Sequence, residues 1–264
     1  MFNTTIATQI YAKICFEATN SQKKIIENLS EYLSGDDFSR IFELNGFAGT
    51  GKTTLIAAVV AALKELRIKP VLLAPTGRAA KVLARYCGEQ ALTIHKRIYR
   101  QRTNADYESK FSLDFNREQG AVFIVDEASM LSDSTGDGAL FGSGSLLEDL
   151  VSYVRSGRGC RLILVGDSAQ LPPVGCDFSP ALDPATVSRY GEVVYGLMDE
   201  VVRQQMQSGI LFNATLVRCM LENRIYEIPK FEMDYPDFES VEGGDFMEKL
   251  QDAFDRYGHD EVIV

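Results

Sequence analysis

A run of glycines followed by lysine and threonine is the first stretch of this sequence that could do chemistry. GFAGTGKT (46–53) has the spacing G-x-x-x-x-G-K-[ST], in which backbone N–H groups surround a phosphate. A chance glycine turn is the alternative, but an apolar stretch precedes the loop and an alanine-rich helical pattern follows it. We expect Lys52 to reach the β- and γ-phosphates and Thr53 to bind Mg²⁺. The predicted ATP contacts here are Gly46, Ala48, Gly49, Thr50, Gly51, Lys52, Thr53 and Thr54.

Two adjacent acids form the second stretch. Asp126 and Glu127 end the apolar run AVFIVDE (121–127). A carboxylate at the end of a buried strand can hold Mg²⁺ through water, and its neighbour can polarise an attacking water. Asp126 is therefore the predicted metal residue and Glu127 the predicted catalytic one, although Asp126 could instead cap a helix. The pair favours hydrolysis over transfer to an acceptor, because phosphoryl-transfer enzymes exclude water.

An amide on a stiff turn is the third feature. LVGDSAQLPPVG (164–175) begins as a buried strand and then places Gln170 before two prolines. Proline fixes φ and stiffens the turn. We expect Gln170 to hydrogen-bond the γ-phosphate or the attacking water. When the phosphate is released, this contact is lost and the stiff turn can move as a result. The alternative is a surface turn with an incidental glutamine.

These stretches all follow apolar strand patterns that alternate with helix patterns. Such alternation predicts an α/β fold with a parallel sheet covered by helices on both faces. Together with the glycine loop, it predicts a P-loop NTPase. The carboxyl ends of its strands should meet at one nucleotide crevice. The predicted strands are 41–45, 70–75, 121–127, 161–166 and 192–197, with a further strand beginning at 260–264. The predicted helices are 21–33, 53–66, 77–87, 145–155, 206–221 and 245–258.

Composition narrows the class of protein. The 264 residues include five scattered cysteines and no CxxC pair, so we expect reduced thiols and no zinc site. No apolar run reaches the roughly 18–20 residues that a membrane span requires. The N-terminus has no basic region followed by an apolar one, so we expect no signal peptide and a cytoplasmic protein.

The net charge of −10 is unevenly distributed. Residues 222–264 hold 13 acids and 4 bases, whereas the rest of the chain is almost neutral. Within 78–102, seven bases accompany a single acid and are interleaved with Tyr86, His95 and Tyr99. Local charge matters more than net charge to a polyanion. This basic stripe is either a nucleic-acid contact or a solvated helix face.

Taken together, the motifs resemble those of superfamily 1 DNA helicases. The resemblance is to the first RecA-like motor domain of the RecD-like, 5′-to-3′ branch, and it spans roughly residues 15–220. Seven stretches in the correct order carry it: TNSQ (19–22), GFAGTGKTT (46–54), APTGRAAKVL (74–83), TIHK (93–96), IVDEASM (124–130), VGDSAQLPPVG (165–175) and EVVRQ (200–204).

The resemblance implies further roles for matched residues. Gln22 matches a glutamine that reads the adenine edge, and Arg203 matches an arginine that contacts the γ-phosphate and is catalytic. The alternatives are a polar residue in the first turn of a helix and a surface salt-bridge arginine.

For single-stranded DNA, the resemblance implies contacts by Thr76, Arg78, Thr93 and His95. Contacts to the phosphate backbone carry no sequence information. His95 could stack on a base or fill the core. The preference for DNA over RNA comes from the resemblance alone.

The resemblance also implies a domain organisation. Residues 1–220 are expected to form the ATPase domain, with a short insertion of little strand content near 97–120. Residues 221–264 are expected to be an acidic linker and the start of a truncated second RecA-like domain. The expected function is that of an ATP-dependent helicase or translocase motor, weak or inactive in unwinding as this fragment. A nucleotide-switched DNA-binding module, or another P-loop ATPase, is the alternative.

Overall fold

The computed structural model describes residues 2–103, 109–133, 141–200, 208–258, 262 and 264. The chain divides into two compact units, Met1–Val202 and Arg203–Val264. The sequence-based boundary lies after residue 220, whereas the contacts divide the chain before the helix that begins at Gly209. Each unit is described by itself.

A parallel sheet forms the centre of the first unit. Its strands run in the order β3-β2-β6-β7-β1-β8, and every neighbouring pair is parallel. A separate antiparallel pair joins β4 to β5. The strands are β1 (Ile41–Gly46), β2 (Pro70–Ala74), β3 (Ala91–Thr93), β4 (Tyr99–Thr103), β5 (Ser109–Leu113), β6 (Val122–Val125), β7 (Arg161–Gly166) and β8 (Val193–Met198).

Helices cover both faces of this sheet. Successive side chains of a strand point to opposite faces, so Phe42 and Leu44 of β1 join one apolar core and Ile41 joins the other. The helices are α1 (Phe2–Lys13), α2 (Asn20–Ser34), α3 (Lys52–Glu65), α4 (Gly77–Cys87), α5 (Ile94–Ile98), α6 (Leu146–Ser156), α7 (Pro184–Val187), α8 (Gly209–Glu222) and α9 (Phe246–Tyr257). α1, α2 and α3 pack on the first core, and α5 and α6 pack on the second. The predicted α/β fold is confirmed.

Helix α1 was not predicted. Its sequence FNTTIATQIYAK contains two adjacent threonines and has little amphipathic character. Ile6 and Ile10, four residues apart, are nevertheless fully buried against α2 and α3. Tertiary packing therefore stabilises a helix that the local pattern alone does not indicate.

The insertion contains more strand than the sequence indicated. The expectation of little strand content near 97–120 is wrong, because β4 and β5 pair antiparallel from Tyr99↔Leu113 to Thr103↔Ser109. The mostly polar sequence hides these strands, because the pair stands outside the main sheet and lacks the long apolar runs of the sheet strands.

The second unit contains α8 and α9, close to the helices predicted at 206–221 and 245–258. Ser208 caps α8, and Asp237 accepts hydrogen bonds from the Ser208 hydroxyl and from the Gly209 N–H. The strand expected at 260–264 lies largely outside the described residues. None of the helices in the described part of the chain combines the length and the apolar character needed to cross a bilayer.

Candidate nucleotide site

The glycine loop forms a cradle at the end of β1. A Cβ atom at Gly46 would lie 2.9 Å from Cγ and Cδ of Lys52, so no larger residue fits without displacing this lysine. Gly49 and Gly51 have φ angles of 74° and 84°, which glycine adopts without strain. No side chain caps the α3 N-terminus at Gly51, so its N–H groups and partial positive charge can face an anion. This geometry fits the phosphates of a nucleotide.

Lys52 lies across the mouth of the loop. Its ammonium group donates hydrogen bonds to the carbonyl oxygens of Gly46 and Phe47, the latter at 2.9 Å. The Thr50 hydroxyl donates to the same Phe47 carbonyl at 2.8 Å. Thr53 lies half-buried in the first turn of α3, whereas Ala48 and Thr54 are exposed. The loop is thus closed on itself by contacts between neighbouring residues.

Gln22 lies directly behind this loop. Its side-chain oxygen accepts from the Thr19 N–H and its amide donates to the Thr50 carbonyl at 2.9 Å. The Thr19 side chain in turn accepts from the Gln22 N–H, which completes a capping box for α2. Gln22 is 1% exposed. The structure therefore shows Gln22 joining the α2 N-terminus to the phosphate loop, and its adenine contact stays a prediction.

The acid pair lies at the same edge of the sheet. Asp126 follows β6, and its N–H donates to the Leu73 carbonyl of β2 at 3.0 Å. An Asp126 oxygen accepts from the Glu127 N–H at 3.0 Å, and Glu127 has a left-handed φ of 56°. Such a conformation is uncommon outside glycine and concentrates at functional sites. The turn places two half-buried acidic residues directly after the end of one strand.

Lys52 affects the pKa of both acids. Burial raises the pKa of Asp126, while the Glu127 N–H and Lys52 lower it. Burial and the Asp126 charge raise the pKa of Glu127, Lys52 opposes that rise, and Asp167 adds to it. Lys52 therefore acts on both acids of the pair and Asp167 acts on Glu127, so charges from three separate motifs meet at Glu127, as expected for a shared site.

The described residues include no group of three or more His, Cys, Asp or Glu side chains that could hold a metal ion by themselves. Mg²⁺ needs no such cage, since it is usually bound by one or two protein oxygens together with substrate phosphates and water. The Thr53 hydroxyl and the Asp126 carboxylate are oxygen donors of the right kind for this ion. The donor set therefore fits Mg²⁺.

A pair of hydrogen bonds joins the amide turn to the loop strand. Asn45, the residue before Gly46, donates from its amide to the Ser168 hydroxyl at 2.9 Å and accepts from the Ser168 N–H at 3.1 Å. Within the turn, the Gln170 N–H donates to the Asp167 carbonyl at 3.0 Å, and Gln170 is exposed. Asn45 therefore fixes this turn to β1.

Two of the residues predicted to contact single-stranded DNA act as helix caps. The Thr76 hydroxyl accepts from the Ala79 N–H and begins α4, and the Thr93 hydroxyl accepts from the Lys96 N–H and begins α5. Both threonines lie at or just beyond the carboxyl ends of neighbouring strands, β2 and β3. Capping uses one lone pair of each hydroxyl and leaves the second lone pair and the proton available.

His95 and Arg78 differ in their surroundings. The His95 ring packs 5.6 Å from the Tyr99 ring and 5.0 Å from the Phe141 ring, measured between centroids. Burial lowers the pKa of His95, which favours its neutral form. Arg78 is exposed on the first turn of α4. His95 therefore belongs to an aromatic cluster, whereas Arg78 faces solvent. The predicted γ-phosphate contact, Arg203, lies outside the described residues.

Comparisons with known proteins agree with this geometry. Residues 18–212 match the sequence profile of the AAA_30 family, "AAA domain". The chain is 33% identical over 135 residues to the ATP-dependent RecD2 DNA helicase of Deinococcus radiodurans, covering 51% of this chain and 16% of that protein. It is 34% identical over 136 residues to the ATP-dependent DNA helicase dda of Enterobacteria phage T4, covering 50% and 28%.

A solved structure shares the fold. The Pif1 helicase from Bacteroides, in complex with ADP-AlF3 and ssDNA, has a TM-score of 0.51 at 17% identity and covers 94% of this chain and 58% of that one. The matches to the two curated relatives span less than a third of either protein's length. The chain therefore belongs to the AAA domain family, with the motifs and fold of a first RecA-like motor domain of the RecD-like superfamily 1 type.

Proposed function

We propose that this chain is the motor domain of an ATP-dependent DNA helicase or translocase, which couples ATP hydrolysis to binding of single-stranded DNA. The observation that carries the proposal is the convergence of the Lys52 loop, the Asp126–Glu127 pair and the Asp167 turn at one edge of the sheet. Two relatives that share a third of its residues over half the chain are named DNA helicases. The matched segments span less than a third of either relative, so the proposal assigns ATP hydrolysis and strand binding to this chain and does not assign unwinding.

The first step is nucleotide binding. The phosphates of ATP occupy the glycine loop, and Lys52 exchanges its contacts with the Gly46 and Phe47 carbonyls for contacts with phosphate. Thr53 and Asp126 would hold Mg²⁺, which would neutralise phosphate charge when bound. Gln22 contacts the adenine edge or, through its bond to Thr50, sets the shape of the loop.

Hydrolysis then depends on the residues that face the γ-phosphate. Glu127 accepts a proton from the attacking water, and its raised pKa makes it a stronger base than an exposed glutamate. Gln170 orients the water or the γ-phosphate, and Arg203 stabilises the negative charge of the transition state. An arginine from a second RecA-like domain would add to this, and without it we expect slow hydrolysis and little unwinding.

Single-stranded DNA would cross the same edge of the sheet. Thr76 and Thr93 contact its phosphates beside the caps of α4 and α5, and Arg78 adds a positive charge. His95 contributes through the packing of its aromatic cluster or by contact with a base. Thr76 follows β2 and Asp126 follows the neighbouring strand β6. A movement at the nucleotide site can therefore reach the DNA contacts over a short distance.

The test is Mg²⁺-dependent ATPase activity with and without oligo-dT, using the wild-type chain and the variants Lys52→Ala and Glu127→Gln. We expect stimulation by DNA in the wild type and loss of about 10²-fold or more in turnover for each variant. Glu127→Gln should still bind ATP, which a fluorescent nucleotide analogue would measure. Nucleotide-dependent DNA binding that is unchanged by Glu127→Gln, with no turnover in the wild type, would instead identify a switched binding module.

A further inference from the structure

A basic pocket lies at the base of the β4–β5 pair and shares no lining residue with the nucleotide site. It has a volume of about 420 Å³, and its wall includes Lys96, Arg97, Arg100, Phe115, Arg117 and Glu118. These residues come from α5, β4 and the segment that follows β5. We call this site the basal pocket.

Ion pairs within the basal pocket leave an excess of positive charge. Arg100 binds Asp114 at 2.7 Å, and Arg97 binds Glu118 at 2.6 Å. Burial would raise the pKa of Glu118, but hydrogen bonds from Lys69 and Arg97 outweigh burial and lower it, so Glu118 is an anion whose charge is already matched. Both acids of the wall are therefore occupied.

Two exposed cations of the pocket have no such partner. Neither Lys96 nor Arg117 forms an ion pair with any residue that the structure describes. Both side chains are exposed, so an anionic ligand can reach them without breaking an existing contact. The pocket therefore offers two free positive charges.

An aromatic ring stands beside these cations. Phe115 is 66% exposed, although the next residue, Asn116, is 1% exposed. The Asn116 amide donates to the Val154 carbonyl at 3.2 Å, and its N–H donates to the Ser156 hydroxyl at 3.2 Å. The anchored Asn116 holds the backbone of Phe115 in place, so the exposed ring is presented from a fixed segment. An exposed ring beside free cations suits a stacked base with flanking phosphates.

The position of the pocket links it to the proposed DNA path. Lys96 lies one turn of α5 beyond Thr93, which is a proposed phosphate contact at the edge of the sheet. We propose that the basal pocket binds an unpaired nucleotide of single-stranded DNA, with its base stacked on Phe115 and its phosphates bound by Lys96 and Arg117. This proposal rests on the proposed function, because it extends the same DNA path along the flank of β3.

The experiment measures equilibrium binding of fluorescent oligo-dT by anisotropy over a range of salt concentrations. The variants are Phe115→Ala and the double variant Lys96→Gln/Arg117→Gln. Phe115→Ala should weaken binding about tenfold, the loss expected for one base–aromatic stack. The double variant should reduce the slope of log affinity against log salt by about 1.4, since each phosphate contact to a single strand contributes about 0.7.

Lys23→Gln is the matched control. Lys23 is an exposed lysine on α2, which packs on the other face of the sheet. This variant should leave the salt slope and the DNA-stimulated ATPase activity unchanged. Thermal melts of all variants would confirm folding, and a salt slope measured on folded protein keeps the result independent of stability.

The outcomes separate this proposal from the proposed function. Wild-type protein that neither binds oligo-dT nor responds to it in turnover would contradict the proposed function. Normal wild-type binding with unchanged affinity and salt slope in both pocket variants would overturn the basal pocket alone. Poly-glutamate that binds the wild type and loses affinity in these variants, with oligo-dT binding intact, would assign the pocket to an acidic protein and also overturn the proposal.

Discussion

At the scale of single residues, Asn45 shows how the site is positioned. It makes two hydrogen bonds to Ser168, and Gln170 follows two residues later on the same turn. The glycine loop proposed to hold phosphate and the turn proposed to sense it are thus joined by one side chain. Motif spacing indicates which residues act on the nucleotide, but it gives no sign of this link, because Asn45 precedes the glycine motif and Ser168 lies on the distant turn.

We predict that Asn45→Ala lowers DNA-stimulated ATP turnover about tenfold, with little change in the KM for ATP. The reason is that two hydrogen bonds, each contributing about 0.5–1.5 kcal/mol, no longer hold the Gln170 turn in place. Steady-state ATPase assays at saturating oligo-dT would measure this effect.

Two further variants test the link directly. Ser168→Ala removes only the bond to the hydroxyl, so its effect should be smaller, and the double variant should resemble Asn45→Ala alone. Tyr195→Phe is the matched control, because Tyr195 also hydrogen-bonds Asn45 but does not belong to the turn. Additive losses in the double variant would show that Asn45 and Ser168 act separately.

At the scale of elements, β1 carries an acid in the middle of its length. Glu43 is fully buried, and neither of its carboxylate oxygens has a hydrogen-bond partner among the described residues. Burial, with a smaller contribution from Asp183, raises its pKa to about 8. Glu43 is therefore mostly protonated at neutral pH inside the folded protein, since an isolated buried carboxylate is costly.

We predict that the wild type loses stability as pH rises from about 4.5 to 8 and that Glu43→Gln loses less. The folded pKa lies above the ordinary value of 4.5. The folded state therefore binds more protons between about pH 4.5 and 8, and its stability falls across that window and levels off above it. Urea unfolding at pH 5.5 and 8.0 should show a smaller difference in the free energy of unfolding for the variant than for the wild type.

Glu17→Gln is the control for this comparison, because Glu17 is exposed. Equal pH dependence in the wild type and Glu43→Gln would mean that Glu43 is ionised in the folded protein or is reached by water. The comparison uses a difference between two pH values, so any constant cost of burying the new amide cancels.

Most elements of the sheet were predictable from sequence for a physical reason. Strands buried on both faces give apolar runs such as RLILVG (161–166), which coincides with β7, and Gly88 ends α4 in the left-handed conformation as its position suggested. The loop and the acid pair follow from spacing and from their places after strands. α1 was missed because its stability depends on packing against α2 and α3. The β4–β5 pair was missed because it depends on contacts with distant residues such as Phe141, whose ring stacks 4.6 Å from that of Phe111.

At the scale of the whole molecule, the uneven charge has a consequence for binding a polyanion. The second unit, Arg203–Val264, holds 13 acids and 6 bases, while the first unit holds 24 acids and 21 bases. The field of exposed acids repels DNA at distances up to the Debye length, which is about 30 Å at 0.01 M salt and about 8 Å at 0.15 M. The acidic unit should therefore slow the association of DNA mainly at low salt.

We predict that the triple variant Glu227→Gln/Glu242→Gln/Glu248→Gln binds oligo-dT faster than the wild type at about 0.01 M salt, because it removes three exposed negative charges. Stopped-flow association rates would measure the gain, which should disappear as salt is raised to about 0.3 M, where screening is strong.

The matched control replaces the same three residues by aspartate, which keeps the charge and should keep the wild-type rate. A gain that persists at high salt, or appears in the aspartate variant, would show that these side chains act by contact or by altering the fold. A gain confined to low salt would mean that charge in the second unit adjusts how fast the chain meets DNA, without changing the site proposed to hold it.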